Sequence, residues 1–250
     1  MKQVKFDFTG CNFAVTGASS GMGRQIALDL ASAGATVLAI ARRKEELQEV
    51  AELYPEKIVT AAIDVCNREA METAVHGFVE SHGKLNGSVH AAGVVGFTPL
   101  QSYDRKLAHD IMEISFWAGM DFLQLASKKR YGAQGASHLL FSSISAISSD
   151  KGKFAYNAAK AALNNAVRTT AQELCRHGQR VNCLMPGWVR SPMTERFAPD
   201  SDLDSFLSHQ LLGEGNPEDV AGMALFLLSD SAAWITGTAF AVDGGFLAGY

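Results

Sequence analysis

Short β-branched and apolar runs alternate along the whole chain with longer stretches whose apolar positions recur every three or four residues. The first pattern predicts strands at Phe13–Thr16, Thr36–Ala41, Ile58–Asp64, Gly87–Ala91, His138–Ser142, Arg180–Met185 and Thr238–Val242. The second predicts helices at Arg24–Ala33, Lys44–Leu53, Ala70–His82, Leu107–Lys129, Tyr156–Arg176 and Pro217–Leu228. Strand–helix alternation of this kind implies right-handed crossovers and a parallel sheet with helices on both faces. The expected fold is α/β: a doubly wound, Rossmann-like parallel sheet in three α/β/α layers, one domain over residues 1–250. No repeat, low-complexity tract or charged linker divides it. Sheets of this type bind ligands beyond the carboxyl ends of their strands, near the point where strand order reverses.

Composition narrows the class. At 250 residues, with 47% hydrophobic and 19% charged residues, the chain is long enough to bury a substantial core. Its net charge of -4, without a Lys/Arg cluster beyond a few residues, excludes a basic nucleic-acid surface. The longest apolar stretches, such as Met223–Leu228, are too short to cross a membrane, and the N-terminus lacks the apolar region of a signal peptide. Cys11, Cys66, Cys175 and Cys183 show no CxxC or CxxH spacing, so no metal site is expected. They read as ordinary thiols of a reducing compartment, the cytoplasm.

The first strand runs into Thr16-Gly17-Ala18-Ser19-Ser20-Gly21-Met22-Gly23 and then a helix. Glycines allow a tight turn and close backbone approach to a pyrophosphate, and the helix start adds unpaired N–H donors with a partial positive charge. The spacing is GxxxGxG rather than the common GxGxxG. After the second strand, where an acid would bind the ribose hydroxyls of NAD, stand Arg42 and Arg43. A guanidinium binds a 2′-phosphate bidentately and a carboxylate repels it, so NADP(H) is expected ahead of NAD(H).

Tyr156 and Lys160 are spaced i, i+4 on a predicted helix and therefore share one face. Phenol is a poor base at neutral pH, but a nearby ammonium favours phenolate by about 4 kcal/mol at ~4 Å and an effective dielectric near 20. Such a pair suits general acid–base exchange. Ser143, just after a strand and thirteen residues before Tyr156, offers a hydroxyl to a developing alkoxide.

With these pieces the sequence resembles the short-chain dehydrogenase/reductase family over essentially its whole length. The matching segments are Thr16–Gly23, Asp64-Val65, Ala92-Gly93, Ser143 with Tyr156 and Lys160, Pro186-Gly187-Trp188-Val189, and Val242-Asp243-Gly244-Gly245. The resemblance implies an oxidoreductase moving hydride between NADP(H) and a secondary alcohol/ketone, with Tyr156 as proton donor for reduction and acceptor for oxidation. It implies that Lys160 binds the nicotinamide ribose and that Ser143 orients the substrate oxygen. It further implies that Asp64 contacts the adenine with Val65 packing on it, and that Ala91, Ala92 and Gly93 line the adenosine ribose. Pro186, Gly187 and Val189 then flank the nicotinamide, and Ser191 reaches its carboxamide. Family members are commonly homotetramers or dimers, so a homo-oligomer is expected.

Two positions depart from the family pattern. The long fourth helix usually carries an asparagine that holds a water in the proton relay behind the lysine; aligning Ile111–Trp117 there puts Ser115 in its place. A hydroxyl still binds water. The usual Asn-Asn-Ala-Gly is His90-Ala91-Ala92-Gly93, where His90 reads as a hydrogen-bonded strand residue. Ser115 is the feature behind the competing reading, a catalytically weak dinucleotide-binding sensor or assembly subunit. Residues 191–216, with Met193, Phe197, Leu203, Phe206, Leu207, Leu211 and Leu212, correspond to the family's mobile substrate cover. Val94, Val95, Phe97, Ser145 and Trp188 are further pocket candidates. The substrate class stays open among 3-oxoacyl, sugar, steroid and polyol compounds.

Overall fold

Seven strands form one sheet, all neighbours parallel, in the order β3-β2-β1-β4-β5-β6-β7. They are β1 Asn12–Thr16, β2 Thr36–Ala41, β3 Ile58–Ala62, β4 Leu85–His90, β5 Gly132–Phe141, β6 Arg180–Pro186 and β7 Ala239–Val242. The computed structural model describes residues 4–149, 151–197 and 203–249. The helices are α1 Gly21–Ser32, α2 Lys44–Leu53, α3 Arg68–His82, α4 Arg105–Met112, α5 Ala118–Ser127, α6 Phe154–Leu174, α7 Pro192–Phe197, α8 Leu203–His209, α9 Pro217–Leu228 and α10 Phe246–Gly249. The architecture is the expected doubly wound, Rossmann-like domain.

Side-chain alternation along the central strands feeds two cores. Phe13 and Val15 of β1 and Val37 and Ala39 of β2 pack with Ile26 and Leu30 of α1 and with Val220 and Ala224 of α9. Ala14, Leu38 and Ile40, pointing the other way, meet Met71, Val75 and Phe78 of α3 and Phe122 of α5. Both faces being covered explains why β1 is buried at every position and reads as a continuous apolar run. The chain steps outward from β1 to β3, then returns to β4 on β1's other side. That reversal opens a crevice at the carboxyl ends of β1 and β4, where Thr16 pairs with both Ile40 and His90.

The structure corrects several boundaries. β3 ends at Ala62, so Asp64 lies beyond the strand rather than in it. β5 begins at Gly132, six residues before the expected start, because β4 supplies a partner through Leu85 and Gly87. The helix expected over Leu107–Lys129 is interrupted: α4 passes through a π-helical turn, Glu113–Trp117, before α5. Helices α7, α8 and α10 were not foreseen. Residues 198–202 of the expected cover lie outside the described residues. Among the described residues no helix is long and apolar enough to cross a membrane.

Candidate active site

β1 delivers the glycine-rich turn directly into the crevice. Gly17 adopts φ +71°, and a Cβ there would stand 2.8 Å from Ala92 N and 2.9 Å from the Ala91 carbonyl carbon. Only glycine permits both the backbone angle and this approach of β1 to β4. A Cβ on Gly23 would stand 2.5 Å from Gly17 O, so the first turn of α1 presses on the same loop. Ser20 occupies the N-cap of α1 in extended conformation, yet its hydroxyl does not cap the helix. The orphan N–H groups of that first turn are left for whatever fills the groove.

The groove is lined by Gly17, Ser19, Ser20, Gly21, Met22, Gly23, Arg42, Arg43, Asp64, Val65, Ala91, Ala92, Gly93 and Ser191. Ile63 and Ile114, which the sequence did not single out, also line it, with Val94 and Met193. The two arginines differ. Arg43 Nη2 donates to Ser19 Oγ at 2.9 Å and Ser20 Oγ at 2.7 Å, while Nη1 pairs with Glu46 at 3.1 Å. Arg42 has no hydrogen bond or ion pair among the described residues and faces the groove unspent. Asp64 Oδ1 accepts from Cys66 N at 3.0 Å, closing a turn after β3. Burial first, then the Asp64 charge, pushes the Cys66 thiol up to about 11.

A second cavity adjoins the groove and shares Met193 with it. Its walls carry Ser143, Ser145 and Tyr156, with Val95, Ile144, Lys153, Gly187, Trp188, Thr194 and Phe206. Phe97 is exposed and lines neither space. Ser143 caps the short helix Ile144–Ala146, its Oγ accepting from Ser145 N at 3.1 Å, which pins the oxygen and leaves its own O–H to donate. Ser142 Oγ donates to Lys160 O at 2.9 Å and so fastens α6 to the end of β5; nothing in the sequence marked it apart from its serine neighbours.

One turn along α6 from Tyr156, Lys160 is buried, with Nζ 5.4 Å from the tyrosine ring centroid and donating to Phe141 O at 2.7 Å. Burial lowers the Lys160 ammonium to about 8. Ser115 sits in the π-helical turn, fully buried, its Oγ without a hydrogen-bond partner among the described residues. A Cβ on Gly93 would stand 3.6 Å from Lys160 Nζ and 3.7 Å from Ser115 Oγ, so both polar groups border the same spot. His90 is hydrogen-bonded, as expected of a strand residue, to Thr16 Oγ1 and Ile114 O.

Pro186 ends β6, and Gly187 lines the second cavity while Pro186 and Val189 line neither. A Cβ on Gly187 would stand 2.6 Å from Gln210 Oε1. That amide ties the segment after β6 to residue 213 by accepting from Trp188 N at 2.5 Å and donating to Gly213 O at 2.6 Å. Gln210 carried no sequence signal. Ser191 N donates to Thr194 Oγ1 at 2.9 Å at the start of α7, and Gly21's absent Cβ would lie 3.3 Å from Ser191 Cβ. The segment expected to form the cover thus begins beside the glycine turn. Among the described residues no group of three or more His, Cys, Asp or Glu could hold a metal ion.

This geometry has close counterparts. The profile of a family described as Enoyl-(Acyl carrier protein) reductase matches residues 17–247. The chain is 31% identical to the 3-oxoacyl-(acyl-carrier-protein) reductase FabG of Thermotoga maritima, across 92% of this chain and 95% of that one. It is 31% identical to the galactitol 2-dehydrogenase (L-tagatose-forming) of Cereibacter sphaeroides, across 96% of each. The structure of a short-chain type dehydrogenase/reductase from Mycobacterium ulcerans superposes with a TM-score of 0.90 at 28% identity, covering 97% of this chain and 92% of that one.

Proposed function

The chain belongs to the short-chain dehydrogenase/reductase family, whose oxidoreductases use nicotinamide cofactors, and we propose that it exchanges hydride between NADP(H) and a secondary alcohol/ketone pair. The observation that carries this reading is that Ser143 and Tyr156 line one cavity, which meets the glycine-turn groove at Met193, while buried Lys160 stands one helical turn behind Tyr156.

The groove fits a dinucleotide. A Cβ at Gly17 or Gly23 would collide with backbone, which is what a loop shaped for close approach to a pyrophosphate requires. In this reading Ser19, Ser20, Gly21, Met22 and Gly23 hold the pyrophosphate with the N–H groups of α1. Arg42 takes the 2′-phosphate, while Arg43 fixes the two serines and adds a second cation. Asp64 and Val65 take the adenine edge; Ala91, Ala92 and Gly93 border the adenosine ribose; Gly187 and Ser191 take the nicotinamide end, in a segment whose Pro186 and Val189 are buried. When bound, the cofactor supplies or accepts the hydride.

The chain's own residues handle the proton and the oxygen. Ser143 donates to the substrate oxygen, and Tyr156 passes its phenolic proton to that oxygen in reduction or takes one in oxidation. The Lys160 ammonium stabilises the phenolate left behind and binds the ribose hydroxyls. Ser115 Oγ holds a water beside Lys160 that carries the proton onward; a buried hydroxyl without a partner supports such a water site. Trp188, Phe206, Ile144 and Val95 give the cavity an apolar wall, supporting a substrate with hydrophobic surface. A homo-oligomer, tetramer or dimer, belongs to the reading through the family resemblance. Four free cysteines fit the cytoplasm.

The test is steady-state turnover of 3-oxoacyl thioesters, sugars, polyols and steroid alcohols with NADP(H) and NAD(H) in parallel. Turnover with NADP(H), abolished in Tyr156→Phe while NADPH still binds, is expected. NADPH binding without turnover of any substrate favours the weak-enzyme reading, which rests on serine at 115 where the family pattern has asparagine.

A further inference from the structure

His90 closes β4 at the point where strand order reverses, wedged between Thr16 of β1 and the π-helical turn, and is 1% exposed. Its Nδ1 lies 3.0 Å from Thr16 Oγ1 and its Nε2 lies 3.1 Å from Ile114 O. A carbonyl oxygen only accepts, so Nε2 carries the proton; Nδ1 keeps its lone pair and accepts from the threonine hydroxyl. Thr16 Oγ1 in turn accepts from Ala92 N at 3.4 Å. Donors and acceptors therefore run in one direction, from Ala92 through Thr16 and His90 to Ile114. This chain links the wall of the cofactor groove to the helix behind it.

The link meets the helix where its hydrogen bonding is irregular. In a regular α-helix Ala118 N would donate to Ile114 O, four residues back. Here it donates to Glu113 O instead, five residues back. The His90 Nε2–H donates to Ile114 O inside that turn. Glycine at 119 leaves the ring room: a Cβ there would stand 3.0 Å from His90 Cδ2. The residue after Ile114 is Ser115, whose Oγ borders the spot above Gly93 that Lys160 Nζ also borders.

We infer that His90 is a positioning residue for proton transfer: by holding Ile114 O it fixes the π-helical turn, and with it the direction of Ser115 Oγ toward Lys160. The inference rests on the relay role proposed for Ser115. Histidine suits the task because its two nitrogens, on opposite sides of one rigid ring, reach both neighbours at once. Asparagine in its place offers an amide only near the Nδ1 position, whereas glutamine extends an N–H to the Nε2 position.

Two measurements test it. Nitrogen-15 NMR of the histidine-labelled protein should show His90 as the neutral Nε2–H tautomer from pH 6 to 8; an Nδ1–H or cationic ring overturns the proposal. Kinetics, on the best substrate from the panel above, compare His90→Asn, His90→Gln, Ser115→Ala and the His90→Asn/Ser115→Ala double variant. His90→Asn should lower kcat about tenfold with NADPH affinity within about twofold of wild type, and His90→Gln should recover most of that loss. The double variant should be no slower than the slower single one, because both act through one hydroxyl. If Ser115→Ala is slow and the double variant loses the product of both effects, His90 acts elsewhere and the proposal falls alone. Wild-type kcat in Ser115→Ala removes the relay reading itself. Equal kcat in His90→Asn and His90→Gln, with NADPH affinity falling in step, leaves His90 a packing residue only.

Discussion

Acid should destabilise this fold steeply, and His138 is where the effect can be isolated. It lies in β5, 1% exposed, with Nδ1 2.8 Å from Ser88 Oγ and Nε2 unpartnered among the described residues. Burial, reinforced by the Arg180 charge and opposed by the neighbouring Gln179 side chain, pushes it from 6.5 down to about 4. The unfolded chain therefore takes up this proton near pH 6.5 while the native protein resists until about pH 4. Stability is full above 6.5 and is lost as pH falls through that window. Each pH unit inside it is worth about 1.4 kcal/mol, so roughly 2 kcal/mol disappears between pH 7.5 and 5 through His138 alone. His90, also lowered to about 4 by burial and then by Lys160, adds a similar amount in the wild type. The assay is urea unfolding followed by tryptophan fluorescence at pH 7.5, 6 and 5 for wild type and His138→Asn. The variant should lose packing at every pH, but its disadvantage should shrink by about 2 kcal/mol on going to pH 5. A gap between the two proteins that does not change with pH would refute the reasoning.

The cofactor side gives two expectations. Arg42→Ala should weaken NADPH by about 2–4 kcal/mol, tens- to several-hundred-fold, and leave NADH nearly unchanged in fluorescence titrations. Arg43→Ala, which also releases Ser19 and Ser20, should weaken both cofactors. Gly17→Ala should lose NADPH binding by more than about tenfold, since its positive φ alone costs about 1–2 kcal/mol and its Cβ would press on Ala91 and Ala92. On the chemical side, Lys160, held near 8, is charged below that pH and neutral above it; kcat/KM for ketone reduction should therefore fall as pH rises through about 8, and a profile flat to pH 10 contradicts that assignment.

Much of the fold was legible along the chain. Strands β1, β2 and β6 and helices α2 and α9 follow from apolar periodicity, which local backbone geometry imposes on any segment with one or two buried faces. The glycine turn was legible because its backbone requirement is local: Gly17 and Gly21 both stand at positive φ. The shared face of Tyr156 and Lys160 follows from helical spacing alone. Other features belong to the tertiary structure. The polar start of β5 at Gly132 carries no strand pattern and extends only because β4 lies beside it. Arg43 turns to Ser19 and Ser20, two dozen positions away, because β1 and β2 end side by side. Likewise, no spacing in the sequence marks where α4 and α5 are joined by a π-turn. There the His90 ring, brought close by the pairing of β1 with β4, meets Ile114 O. Periodicity records which face of an element is buried; it holds no record of what lies against that face, and the contacts of His90, Ser115 and Lys160 are of that second kind.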